Sequence, residues 1–123
     1  MGASGSERIA PGFHEHAIET IERAELEALQ LQRLAATVDV IKARVPAFRE
    51  RLANVATPVS LDDIRDIPFT KKSDMRDNYP FGLFAVPRNE VQRVHASSGT
   101  TGKPTVVGYT AEDLSMWARC VAR

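Results

Sequence analysis

A single cysteine, Cys120, stands in the 123 residues. An internal disulfide is therefore excluded, and such usage fits a reducing cytosol. Cys120 falls inside a helical pattern with no partner base near it in the chain, so it reads as a small buried helix residue, not a nucleophile. Neither charge is in excess: sixteen basic and sixteen acidic side chains cancel. No general field draws in nucleic acid or an acidic membrane, and neither is expected as a partner. No apolar run approaches the ~20 residues that cross a bilayer, and the N-terminus lacks an apolar signal core. The expected location is cytoplasmic. Metal ligands are scarce as well. His14 and His16, at i and i+2, do not share a helix face and have no third ligand beside them, so no metal site is assigned. At 43% apolar and 26% charged the chain has the composition of one soluble, globular domain.

Residues 1–12 are small and polar and read as a disordered leader. A first long helix is expected to begin near Thr20, or after Glu22 on a stricter reading. Leu26, Leu29, Leu34, Val38, Ile41 and Val45 recur at helical spacing, with a break possible around Gln30 to Gln32. Pro46 ends or kinks the run, and Phe48 and Leu52 extend it by a turn. The stripe lacks clean heptads, so it is expected to pack against the body of the same protein. After a loop from Asn54 to Pro58, Ser60-Leu61-Asp62-Asp63 has the spacing of a capping box for one short helical turn. Ile67-Pro68-Phe69 is extended, and Thr70 is expected to cap a second short helix through Asp77. In that helix Asp74 and Asp77 interleave with Lys71, Lys72 and Arg76, which reads as a solvated face. The aromatic run Tyr79-Pro80-Phe81-Gly82-Leu83-Phe84 either lines a pocket or covers a sheet, and the covering role is the one expected. Near the end, Thr110-Ala111-Glu112-Asp113 caps a closing helix whose apolar face carries Leu114, Trp117, Ala118 and Val121.

The densest chemistry lies in Ser97-Ser98-Gly99-Thr100-Thr101-Gly102-Lys103-Pro104. A valine-bearing run precedes it and the β-branched Thr105-Val106-Val107 follows. Glycines let successive backbone N–H groups turn toward one concave point. Hydroxyls add donors, and Lys103 adds a positive charge on a long stem. Such a loop cradles phosphate oxygens, although a polar turn between strands has similar composition. It is not the Walker loop, which has four residues between its glycines and Ser or Thr after the lysine. Here two residues separate Gly99 from Gly102, Pro104 follows Lys103, and a strand follows instead of a helix. His95 lies beside the cradle. Two roles are open to it: contact with phosphate or a magnesium-bound water, or packing against its strand neighbours.

The Ser97–Pro104 string resembles the phosphate-loop signature of the adenylate-forming acyl-CoA synthetase superfamily. Its flanks, Arg76-Asp77-Asn78-Tyr79-Pro80-Phe81-Gly82-Leu83-Phe84-Ala85-Val86-Pro87, Val94-His95-Ala96 and Thr105-Val106-Val107-Gly108-Tyr109-Thr110, closely resemble phenylacetate–CoA ligases. The resemblance runs from about Ile18 to the end. Members of that family are several times longer, so residues 13–123 read as the N-terminal portion of an adenylate-forming domain, truncated at its C-terminus. The implied fold class is α+β: N-terminal helices, then a β-hairpin carrying the loop, then a closing helix.

The resemblance also implies a reaction. The carboxylate of an aryl acid such as phenylacetate attacks the α-phosphate of ATP, and the thiol of coenzyme A then displaces AMP. Ser97, Ser98, Gly99, Thr100, Thr101, Gly102 and Lys103 would hold the β- and γ-phosphates with Mg2+. No catalytic or metal-ligating residue is assigned within the chain, because the family's remaining motifs lie downstream. The chain alone is therefore expected to be inactive. The alternative is a stand-alone phosphate-binding or self-associating module. Self-association of the fragment is expected on either reading, because an isolated two-stranded hairpin is marginal in water.

Overall fold

The structure is a computed structural model and describes residues 12–97 and 102–123. The expectations of a disordered leader over residues 1–12, in all but its last residue, and of phosphate contacts from Ser98, Gly99, Thr100 and Thr101, lie outside the described residues. The architecture is α+β, as expected. A short helix α1 (His16–Glu19) precedes the long α2 (Arg23–Arg44), followed by α3 (Pro46–Arg49), α4 (Lys72–Asp77), strands β1 (Arg93–Ser97) and β2 (Thr105–Tyr109), and α5 (Ala111–Ala122).

The stricter start of the long helix holds: Glu22 occupies the N-cap with extended backbone. The break considered at Gln30–Gln32 does not occur, and α2 runs unbroken through it. Gln30, Leu31 and Gln32, which fill that stretch, all have high helix propensity. An i,i+4 pair between Arg23 and Glu27 at 2.6 Å supports the first turn. The helix ends at Arg44 because Pro46 follows; its ring fits the first position of α3, where a missing N–H costs nothing. Val38 and Val45 from the stripe are buried together with Leu52. Two side-chain bonds tie the back of α2 to the next loop: Lys42 Nζ donates to the Val55 carbonyl at 2.7 Å, and Thr57 Oγ1 donates to Asp39 at 2.6 Å.

Ser60 caps a 3₁₀ turn (Leu61–Asp66), with the Asp63 carboxylate accepting from the Val59 and Ser60 amides at 2.9 Å each. The cap of α4 differs from expectation. Lys71, not Thr70, holds the N-cap position, and its amide donates to the Asp74 carboxylate at 2.7 Å. The acidic residue three positions into the helix decides the start, and it places that start one residue later than the hydroxyl does. A second 3₁₀ turn, Arg88–Glu90, delivers the chain to β1.

The two strands pair antiparallel, with Arg93 opposite Tyr109, His95 opposite Val107 and Ser97 opposite Thr105. α5 is capped as its sequence predicts: Thr110 Oγ1 accepts from the Asp113 amide at 3.2 Å, and the Thr110 amide donates back to Asp113 at 2.9 Å. Cys120, expected to be buried, is exposed. α5 meets the hairpin through Trp117, and its last turns have little over them, so Val121 is also 74% exposed.

Candidate functional site

The hairpin β1–β2 positions the site. Its last pair, Ser97 and Thr105, closes the ladder where the loop leaves it. On the returning side Gly102 has φ +129°, in a region that L side chains rarely adopt, and open space surrounds its missing Cβ. Conformation and not crowding therefore demands glycine there. Lys103 follows, exposed, and among the described residues it has no ion-pair partner. A hydroxyl on one strand end and an uncommitted ammonium on the other suit a polyanion. The next element after Lys103 is a strand, and α5 does not begin until Ala111. No helix N-terminus follows Lys103 directly, so a helix dipole is not aimed at this end of the hairpin among the described residues.

Of the two roles open to His95, the structure shows packing. Its ring lies 5.1 Å from that of Tyr109 and 5.6 Å from that of Trp117, at interplanar angles of 62° and 72°. Tyr109 and Trp117 stack on each other at 5.4 Å and 19°. Residues alternate sides along a strand, so His95 and Ser97 share the face that meets α5. Periodicity places Trp117 on the apolar face of α5 but does not link it or Tyr109 to His95. The available signal was the pairing of an aromatic on β2 with one on the helix that follows it.

The other face of the hairpin carries Val94, Ala96, Val106 and Gly108. Here Phe84 presses on the Gly108 backbone so closely that a Cβ at 108 would meet its Cζ at 2.5 Å. Within the aromatic run Phe84 covers the sheet, the role expected, and Leu83 and Phe84 also line a cavity, the other role considered. Phe81 and Phe84 lie 5.2 Å apart, and the Arg88 guanidinium sits 5.6 Å from the Phe81 ring centre. A partly open cavity of about 240 Å³ remains between Met75, Phe84, Val91 and Val106. Its one ionic lining group, Asp113, is a carboxylate already engaged with Thr110. A carboxylic acid finds no counter-charge there.

Behind the aromatic run, α4 is fixed by a bidentate ion pair. Arg51 Nη1 and Nη2 donate to the Asp74 oxygens at 2.9 and 2.7 Å. The Arg51 hydrogen bond, followed by the Lys71 amide, holds the Asp74 carboxyl far below the usual carboxylate range, and the Arg51 pKa is raised in turn. The cations of α4, read as a solvated face, do not hold this carboxylate by their side chains; the partner is Arg51, 23 residues earlier. Gathered groups of three or more His, Cys, Asp or Glu able to hold a metal are absent among the described residues. Among the described residues no helix is long and apolar enough to cross a membrane.

No family model matches the chain. The chain is 56% identical over 110 residues to a phenylacetate-coenzyme A ligase of Thermus thermophilus, in a match covering 86% of the chain and 25% of that enzyme. It is 56% identical over 113 residues to a phenylacetate-coenzyme A ligase of Aromatoleum evansii, covering 86% and 26%. An Escherichia coli enzyme of the same name is 51% identical over 110 residues, covering 86% and 25%. Among solved structures, 2-hydroxyisobutyryl-CoA ligase in complex with 2-HIB-AMP and CoA superposes with a TM-score of 0.76 at 28% identity, over 94% of this chain and 27% of that one. An open conformation of that ligase gives 0.74 at 27% identity, over 94% and 30%. The chain spans about a quarter of the length of the curated relatives it matches.

Proposed function

We propose that this chain, a segment of the phenylacetate–CoA ligase family by its 50–56% identity to such enzymes, supplies the phosphate-holding loop of an AMP-forming aryl-acid CoA ligase. Residues 13–123 are the N-terminal portion of its adenylate-forming domain. The observation that carries this reading is the hairpin itself: a closed strand pair at Ser97 and Thr105, a positive-φ Gly102 and an uncommitted Lys103. ATP, when bound, supplies the phosphoanhydride that activates the acid, and CoA the thiol that accepts the acyl group. Negative charge grows on the departing pyrophosphate as the acid's carboxylate attacks the α-phosphate. The Lys103 ammonium and the Ser97 hydroxyl, with Ser98, Gly99, Thr100, Thr101 and Gly102 between them in sequence, stabilise that charge. The loop's hydroxyls and amides suit phosphate oxygens. Carboxylates to hold Mg2+ are not gathered in the described residues, so the metal would rest on the phosphates and on groups outside them. A cytoplasmic location belongs to this reading, since reducing conditions there suit a free, exposed Cys120.

Titration calorimetry with pyrophosphate tests the loop. Hydrogen bonds to charged groups are worth about 1.5–3 kcal/mol, so Lys103→Ala is expected to weaken binding about tenfold or more. Equal affinity in the two proteins would remove Lys103 from the site. Catalysis by the chain alone is expected to be absent, since the chain spans a quarter of its relatives' length and both half-reactions draw on further groups. ATP–pyrophosphate exchange with phenylacetate and Mg2+ measures this. Sustained exchange by the purified chain would overturn the division of labour proposed here. The second reading, a self-associating module without catalysis, is favoured by the exposure of Phe69 at 90% and Val59 at 84%.

A further inference from the structure

The geometry points to His95 as a positioning residue: its ring, set edge-on against Tyr109 and Trp117, holds the strand ends from which the phosphate loop springs. The inference rests on the phosphate-binding reading of that loop. β1 is exposed along its whole length, and the sheet has β2 as its other strand. Backbone pairing alone leaves a two-stranded hairpin marginal in water. Packing from outside the ladder must hold the register, and the two faces receive it differently. On one face Phe84 presses on Gly108, in β2. On the other face the aromatic contacts to β1 come from His95.

His95 pairs with Val107, and Tyr109 is its diagonal neighbour on the same face. Trp117 stacks on Tyr109 and meets His95 as well, so three rings from β1, β2 and α5 each touch the other two. Tilted aromatic contacts of this kind are favourable because a ring edge carries positive charge and a ring face negative charge. Ser97 lies two residues beyond His95 on the same face, and its partner Thr105 lies two before Val107. A ring that fixes His95 against Tyr109 and α5 therefore fixes the ladder's last pair. The imidazole acts here as an aromatic ring, which separates this role from contact with phosphate.

The experiment compares the wild-type chain with His95→Phe, His95→Leu and His95→Ala. Pyrophosphate affinity is measured by calorimetry, amide hydrogen exchange along Arg93–Ser97 and Thr105–Tyr109 by NMR, and emission from Trp117, the sole tryptophan. His95→Phe is expected to match wild type in affinity, exchange and emission. His95→Leu and His95→Ala are expected to lose affinity about fivefold, on the scale of a lost aromatic pair, to exchange strand amides faster and to shift Trp117 emission, with helical circular dichroism unchanged. If His95→Phe loses as much affinity as His95→Ala while exchange stays slow, the imidazole touches the anion and the positioning role is wrong. Equal exchange in all four proteins would also overturn it. If the wild type binds no pyrophosphate, the phosphate reading fails, and strand exchange alone decides whether the ring holds the hairpin.

Discussion

At position 108 a single methyl group has no room. Its Cβ would stand 2.5 and 2.6 Å from Phe84 ring carbons and 3.2 Å from Val91 Cγ1. Phe84 is half-buried and backed by Phe81, so it cannot swing away freely. Overpacking of this kind typically costs about 1–3 kcal/mol. Gly108→Ala is expected to lower stability by that amount in urea melts, and Gly108→Ala with Phe84→Leu to recover most of it. A double variant as unstable as the single would show that the strain lies in the backbone and not in the ring contact. Glycines 102 and 108 differ in how much the sequence disclosed. Gly102 stands in a loop signature, where a turning backbone is expected. Gly108 sits in a strand, and its need for a bare backbone depends on a ring 24 positions earlier that no local pattern links to it. Cys120 is exposed although its helical position predicts burial, for a related reason. Helical periodicity gives a residue's face, but burial depends on what lies over that face.

Elements capped by a hydroxyl and an acid three residues on were legible. The cap of α4, set by the Lys71 amide and Asp74, lies one residue later than the Thr70 hydroxyl predicts, and elements held by distant partners were not legible. Ser60 with Asp63 and Thr110 with Asp113 bond across three residues, so their spacing alone announces them. The tether of α4 to Arg51 spans 23 residues and leaves no such trace. It does leave a pH signature. The folded pKa of Asp74 is lowered, so its contribution is full above the ordinary carboxylate value of about 3.9 and is lost as pH falls below it toward the folded pKa. Thermal melts of wild type and Arg51→Ala are expected to differ most near neutral pH and to converge progressively below about pH 4. A difference that stays constant down to the acid limit would mean that Arg51 acts through its place over the Phe48 ring, 5.0 Å away, and not through Asp74. The same sign holds at the other long-range tie, where Glu15 accepts from Arg123 beside Arg119 and its pKa is lowered, chiefly by the Arg123 hydrogen bond. That tie joins α1 to α5, elements at opposite ends of the described chain.

Across the whole molecule, buried apolar side chains are few while exposed ones are many. Among the described residues the buried apolar set is Val38, Val45 and Leu52, all around α2 and α3. Phe69 is 90% exposed, Val59 84%, Val121 74% and Ile64 59%. Each large apolar side chain gains roughly 1.5–3 kcal/mol on full burial, which makes covering these positions strongly favourable. The hairpin adds a second drive. Among the described residues each of its strands has one partner, so its outer edges present N–H and C=O groups on which another chain can pair. Trp117, stacked on Tyr109 but still 43% exposed, stands at the mouth of the shallow groove that Leu114, Ala118 and Val121 continue along α5. Net charge near zero puts little repulsion between copies. The isolated chain is therefore expected to self-associate as its concentration rises, seen as a concentration-dependent sedimentation coefficient. Val121→Glu is expected to shift the equilibrium back toward monomer, because a carboxylate in a covered apolar contact would have to shed its water. A compact monomer at every concentration, with Trp117 shielded from a soluble quencher, would mean that the chain closes these faces on itself and that the exposed side chains are not contact surfaces.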